Sequence, residues 1–103
     1  MSHEYTLIVY TSPADGREDD YNAWYDDVHL GEFSALPGVI NGRRFKVAAP
    51  APDGKPVYAA IYELSSHPDE VMAAMNAGIK DGSVHMSDAV DVTSIKMETL
   101  KPR

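Results

Sequence analysis

His29 and Glu32 stand three residues apart inside an aromatic run, Asn22 to Gly38, that reads Asn-Ala-Trp-Tyr-Asp-Asp-Val-His-Leu-Gly-Glu-Phe-Ser-Ala-Leu-Pro-Gly. Imidazole is the one side chain whose ordinary pKa lets it both give and take a proton near neutrality, so His29 is the first candidate for acid–base catalysis. Glu32 is its helical neighbour, spaced to orient the ring or share a proton with it. Tyr25 offers a hydroxyl that could donate to a developing oxyanion, and Tyr10, Tyr58 and Tyr62, in apolar strands, could do the same if they face the helices. Trp24 supplies pocket wall, Arg43 could neutralise Glu32 or clamp a substrate carboxylate, and His85 could fold over the pocket mouth from its polar stretch. Each competes with a plainer role: core packing for Trp24, a sheet-edge or dimer ion pair for Arg43, solvent for His85.

Other chemistries lack their residues. The chain has no cysteine, which removes thiolate catalysis and disulfides and is compatible with a cytoplasmic protein. His29, His85 and Glu32 would make a two-histidine, one-carboxylate set, but no His-Glu-x-x-His is present, so no metal is expected. Haem through His29 would meet an acidic surface poor in partners for its propionates, and Gly38 to Gly42 has neither the spacing nor the following helix of a phosphate loop. No cofactor is expected. A formal charge of -7 with scattered Lys and Arg argues against nucleic acid. No apolar run approaches the roughly 18 residues of a membrane span, and Met1 to Tyr5 does not open like a signal peptide.

The elements that must position these residues follow from periodicity. Tyr5 to Thr11 reads as a strand, and the acidic Glu18 to Asp20 as the start of a helix capped near Asp15 or Asp19. At about 100° per residue from Tyr21, an unbroken helix puts Tyr25, Val28, Glu32, Ala35 and Leu36 within roughly 60°, and His29 on the shoulder near 80°. Gly31 is the candidate break point, and Leu36-Pro37-Gly38 the end. Val39 to Ala48 alternates as a strand with Val39, Arg43, Phe45 and Val47 on one face. Ala49 to Pro56 reads as a hairpin-like connection, Val57 to Leu64 as a strand apolar on both faces, and Val71, Met72, Met75 and Ile79 as one stripe of a helix capped by Ser66. Val92 to Leu100 is the last strand. The order strand, helix, strand, strand, helix, strand predicts one α+β domain over residues 1–103, a ferredoxin-like βαββαβ with a four-stranded antiparallel sheet and two helices on one face. Two strands apolar on both faces then call for a second copy against the bare side, hence a homodimer.

Asn22, Trp24, Tyr25, His29 and Leu36-Pro37-Gly38, followed by Arg43 and Arg44, resemble the first-helix pattern of the EthD-type branch of the dimeric α/β-barrel superfamily. The close match covers about a quarter of the chain, and the order of elements agrees over its whole length. That resemblance implies dimerisation through the sheets and a pocket in each subunit between sheet and helices. It covers cyclases, isomerases, cofactor-free oxygenases and haem-binding enzymes, so it leaves the reaction open. The leading expectation is a cofactor-free acid–base enzyme of the cyclase, isomerase, dehydratase or oxygenase type, acting on a small apolar or aromatic carbonyl compound. Its competitor is a non-catalytic ligand-binding or accessory protein.

Overall fold

β-branched and aromatic residues set the strands: β1 is Tyr5–Thr11, β2 Val39–Lys46, β3 Tyr58–Leu64 and β4 Lys96–Leu100. The structure, a computed structural model, describes residues 4–49 and 51–103. Pro50, within the expected Ala49 to Pro56 connection, and Met1 to His3 lie outside the described residues. All strand pairs are antiparallel, in the order β2-β3-β1-β4.

Leu7, Val9 and Thr11 of β1 and Ala60, Tyr62 and Leu64 of β3 are buried beneath a helical layer. That layer has two parts. The first is a continuous run of α1 (Glu18–Trp24), a π turn (Tyr25–His29) and α2 (Leu30–Ser34); the second is α3 (Pro68–Asp81). This is the expected ferredoxin-like βαββαβ, α+β with both helical parts on one face. The side chains of Ile8, Tyr10 and Ile61 on the opposite face are only half-buried, while Phe45 and Leu100 are 40% and 48% exposed. No helix among the described residues is long and apolar enough to cross a membrane.

Several boundaries differ from the sequence reading for local reasons. Helix α1 starts after Arg17 with no side-chain cap, and its acidic first turn faces the positive end of the dipole. Helix α3 is capped by His67 rather than Ser66, its Nδ1 accepting from the Asp69 N–H at 3.1 Å. Val92–Ser94 is a 3₁₀ turn, because the Asp91 carboxylate accepts from the Thr93 N–H and bends the chain before β4. A bulge between Val39 and Asn41 shifts the register of β2. Val39 therefore packs on the core, whereas Arg43 and Phe45 lie on the open face and Gly42 and Arg44 face the helices.

Candidate functional site

The π turn decides which side chains of the first helix reach the interior. Its i→i+5 pairing spends one residue more than an α turn, so every later residue falls back by about one helical step, roughly 100°. His29 moves from the shoulder to the core face and is 7% exposed. Phe33, near 120° in an unbroken helix, swings to about 20° and is 2% exposed. Ala35, expected inside, turns out to solvent, and Glu32 moves from mid-stripe to the flank with its side chain 20% exposed. The helix runs through Gly31; the irregularity lies one turn earlier.

His29 stacks on Trp24, ring centroids 4.6 Å apart and planes 19° from parallel, and meets Tyr25 edge-on at 5.0 Å. Its Nδ1 is buried with no hydrogen-bond partner among the described residues. Burial drives its pKa from 6.5 down to about 4, the nearby Glu32 charge opposing the fall and Arg44 adding to it. The ring is thus neutral at physiological pH. It borders a cavity of about 60 Å³ walled by Trp24, Phe33, Tyr62, Met75, Met86 and Met97, with Tyr25 and Thr11 also on its surface. The Tyr25 and Tyr62 hydroxyls lie 3.4 Å apart, and burial raises both phenols' pKa, so both remain hydrogen-bond donors. Gly42 lets Tyr62 sit this close to the sheet: a Cβ there would lie 2.6 Å from the Tyr62 ring and 2.7 Å from Ser34 Oγ.

Behind the cavity, Arg44 is held among three tyrosine rings, 4.3 Å from the Tyr25 centroid, 5.0 Å from Tyr58 and 5.2 Å from Tyr21. Its Nη1 and Nη2 donate to Asp26 at 2.7 Å and Asn22 at 3.1 Å. Sequence reasoning favoured Arg43, which instead lies over Phe45 on the open face, 5.1 Å from its ring. Simple alternation across β2 hides Arg44; only the bulge turns it inward. Tyr10 is likewise on the open face, donating to Glu98 at 3.4 Å.

Glu32 meets His85 rather than His29. Its carboxylate accepts from the His85 backbone N–H at 2.7 Å and lies 2.5 Å from the ring Nδ1. Partial burial pushes the Glu32 carboxyl up, but these bonds outweigh it and leave it below the usual carboxylate range. The Trp24 Nε1–H donates to the His85 carbonyl at 3.0 Å. Of the nine residues read as site candidates, the structure brings His29, Tyr25, Trp24 and Tyr62 to one cavity, joins Glu32 to His85 next to the cavity-lining Met86, sets Tyr58 against Arg44 with its hydroxyl donating to Glu18, and leaves Tyr10 and Arg43 across the sheet. Among the described residues no group of three or more His, Asp and Glu side chains is arranged to hold a metal ion.

No family model and no curated protein matches the chain. Solved structures do. An EthD family protein from Bacillus halodurans superposes with a TM-score of 0.60 at 13% identity, over 96% of this chain and 99% of that one. A candidate monooxygenase from Shewanella loihica superposes with a TM-score of 0.57 at 15% identity, over 100% of this chain and 97% of that one. At these identities the likeness establishes a common ferredoxin-like fold over the full length.

Proposed function

We propose that the chain is a cofactor-free acid–base enzyme that binds a small apolar or aromatic carbonyl compound beside His29. The observation that carries this reading is a neutral, buried imidazole whose Nδ1 has no protein partner, at the wall of an apolar cavity. An orphaned buried nitrogen costs on the order of 1–3 kcal/mol, and a ligand proton or acceptor removes that cost. The imidazole takes a proton from the carbon next to the ligand carbonyl; the C–H pair moves into the enolate, and the oxygen that gains charge accepts from the Tyr25 or Tyr62 phenol. An imidazolium formed in so dry a place is stabilised by the enolate charge that appears with it. Cyclisation, isomerisation, dehydration and reaction of the carbanion with oxygen all begin from this step.

Proton abstraction can be tested before the full reaction is known. In deuterium oxide, a panel of aryl ketones and aromatic β-dicarbonyl compounds should include members that exchange the activated C–H for deuterium, and His29→Gln should slow the exchange by about 10²-fold or more. Binding without exchange favours the competing reading of a ligand-binding accessory protein. One observation supports that competitor: with Glu32 engaged by His85, no carboxylate among the described residues is hydrogen-bonded to the His29 ring. We also propose that two copies pack through their open sheet faces, where Ile8, Tyr10, Ile61, Phe45 and Leu100 lack cover in the single chain.

A further inference from the structure

At about 60 Å³ the cavity is several-fold smaller than the roughly 300–1,000 Å³ of ordinary ligand sites, so a ligand is admitted only if part of the wall moves. Most of that wall is helix and strand. Of the three lining residues outside them, Val90 is buried, Ile95 directly precedes β4, and Met86 stands in a short arch, His85 to Asp88, between two buried anchors. On one side Val84 donates its N–H to the Gly78 carbonyl at 3.0 Å, packed so tightly that a Cβ on Gly78 would lie 2.5 Å from Val84 Cγ2. On the other, Ala89 and Val90 are buried, with the Ala89 carbonyl accepting from the Ala14 N–H at 2.6 Å and Val90 bridged to Pro13. Between these anchors all but Ser87 are exposed, Met86 at 47% although it lines the cavity. Segments of this kind, with exposed side chains and few backbone bonds, open at low free-energy cost.

What holds the arch down converges on two residues of the first helix, apart from an exposed pair of Arg17 with Asp88 at 3.1 Å. Glu32 takes both the backbone N–H and the ring of His85, and Trp24 takes the His85 carbonyl. The same Trp24 indole carries the His29 ring on its face. We infer that Trp24 is a positioning residue: it ties the pose of the His29 imidazole to closure of the His85–Asp88 arch, for which Glu32 is the clasp. Lifting the arch frees the indole N–H, and with it the surface against which the imidazole is stacked. Ligand admission and assembly of the base are then one motion. The inference deepens the reading of His29 as a base and rests on it for its consequence, although its test needs no ligand.

Trp24 is the sole tryptophan, so fluorescence reports on it directly. No hydrogen bond or ring contact joins Glu32 to Trp24 among the described residues, which makes Glu32→Ala an informative variant. It should speed hydrogen exchange at the His85 amide by about tenfold and raise the acrylamide quenching constant of Trp24 roughly threefold. NMR titration of the His29 ring supplies the decisive sign. The charges around that ring are Glu32 on its own helix and Arg44 from β2, with the Tyr25 and Tyr62 phenols and the His85 imidazole nearby. Removing the Glu32 charge alone lowers the His29 pKa further, whereas admitting water to a loosened ring raises it by about one unit or more toward 6.5. A rise, with increased quenching, supports the coupling. Faster exchange at His85 with an unchanged or lowered His29 pKa overturns it, as does unchanged quenching, and the arch is then a flap independent of the base. Trp24→Phe keeps a ring under His29 but removes the N–H; it should speed His85 exchange even with both Glu32 bonds present, and unchanged exchange counts against the inference. Failure of His29 to exchange substrate protons would leave all of these readings standing, so the two proposals fall separately.

Discussion

In the unfolded chain His29 titrates near 6.5, whereas in the folded chain burial holds it at about 4. Above 6.5 both forms are neutral and the histidine leaves stability untouched. As pH falls from 6.5 to 4 the unfolded state binds the proton first, so stability drops across that window by about 3 kcal/mol, the equivalent of the shift. Urea midpoints at pH 7 and 4.5 should record this loss, and His29→Gln should remove most of it. The arginines on β2 give a second contrast at the same scale. Arg44→Lys gives up two directed bonds and planar stacking on three tyrosines and should cost about 1–2 kcal/mol, while Arg43→Lys on the open face should stay within about 0.5 kcal/mol. Equal effects would remove Arg44's special place. The sequence named His29, Tyr25, Trp24 and Tyr62 as residues able to do chemistry because side-chain chemistry is local information. It paired Glu32 with His29 because helical spacing was the only geometry available, and His85, 53 positions away, lay beyond any local rule.

At the scale of elements, strands β1 and β3 were legible from unbroken runs of β-branched, aromatic and other apolar residues, and helix α3 from an apolar stripe of period 3.6. The π turn and the bulge in β2 were not, since each inserts one residue into a pattern and leaves composition untouched. Their effect on the site is large. One brings His29 and Phe33 inward, and the other selects Arg44 over Arg43. Gly42 marks where α2, β2 and β3 close on one another, so Gly42→Ala should force Tyr62 or Ser34 aside at a cost of about 2 kcal/mol, a fall in melting temperature on the order of 10 °C. A melting temperature within a degree or two of the parent would mean that the helix–sheet spacing gives way easily. Because Tyr62 is the side chain displaced, the variant should also change the cavity beside His29.

For the molecule as a whole, the helical layer covers one side of the sheet and leaves apolar residues half-open on the other. Light scattering at micromolar concentration should give the mass of two chains. Ile8→Lys puts a charge at the centre of that face, on a strand flanked by both neighbours, and should yield a folded monomer. A parent protein that is monomeric at that concentration rules the sheet-to-sheet dimer out. If the dimer forms, the His29 cavities lie on the sheet faces away from the interface, so the Ile8→Lys monomer should keep the His29 titration seen in the parent.

The chain by itself determined the order and type of its elements, the antiparallel ferredoxin-like fold and the helix on which the candidate base sits. These depend on hydrophobic period, strand-forming residues and turn chemistry, all written within a dozen neighbouring positions. Only the tertiary structure decided that His29 is buried and neutral, that Arg44 lies beneath the tyrosines, and that Glu32 clasps His85. Each outcome depends on where distant segments meet: a one-residue slip in a helix or strand rotates a side chain from one environment to another, and solvation, more than residue type, then sets its charge and partner.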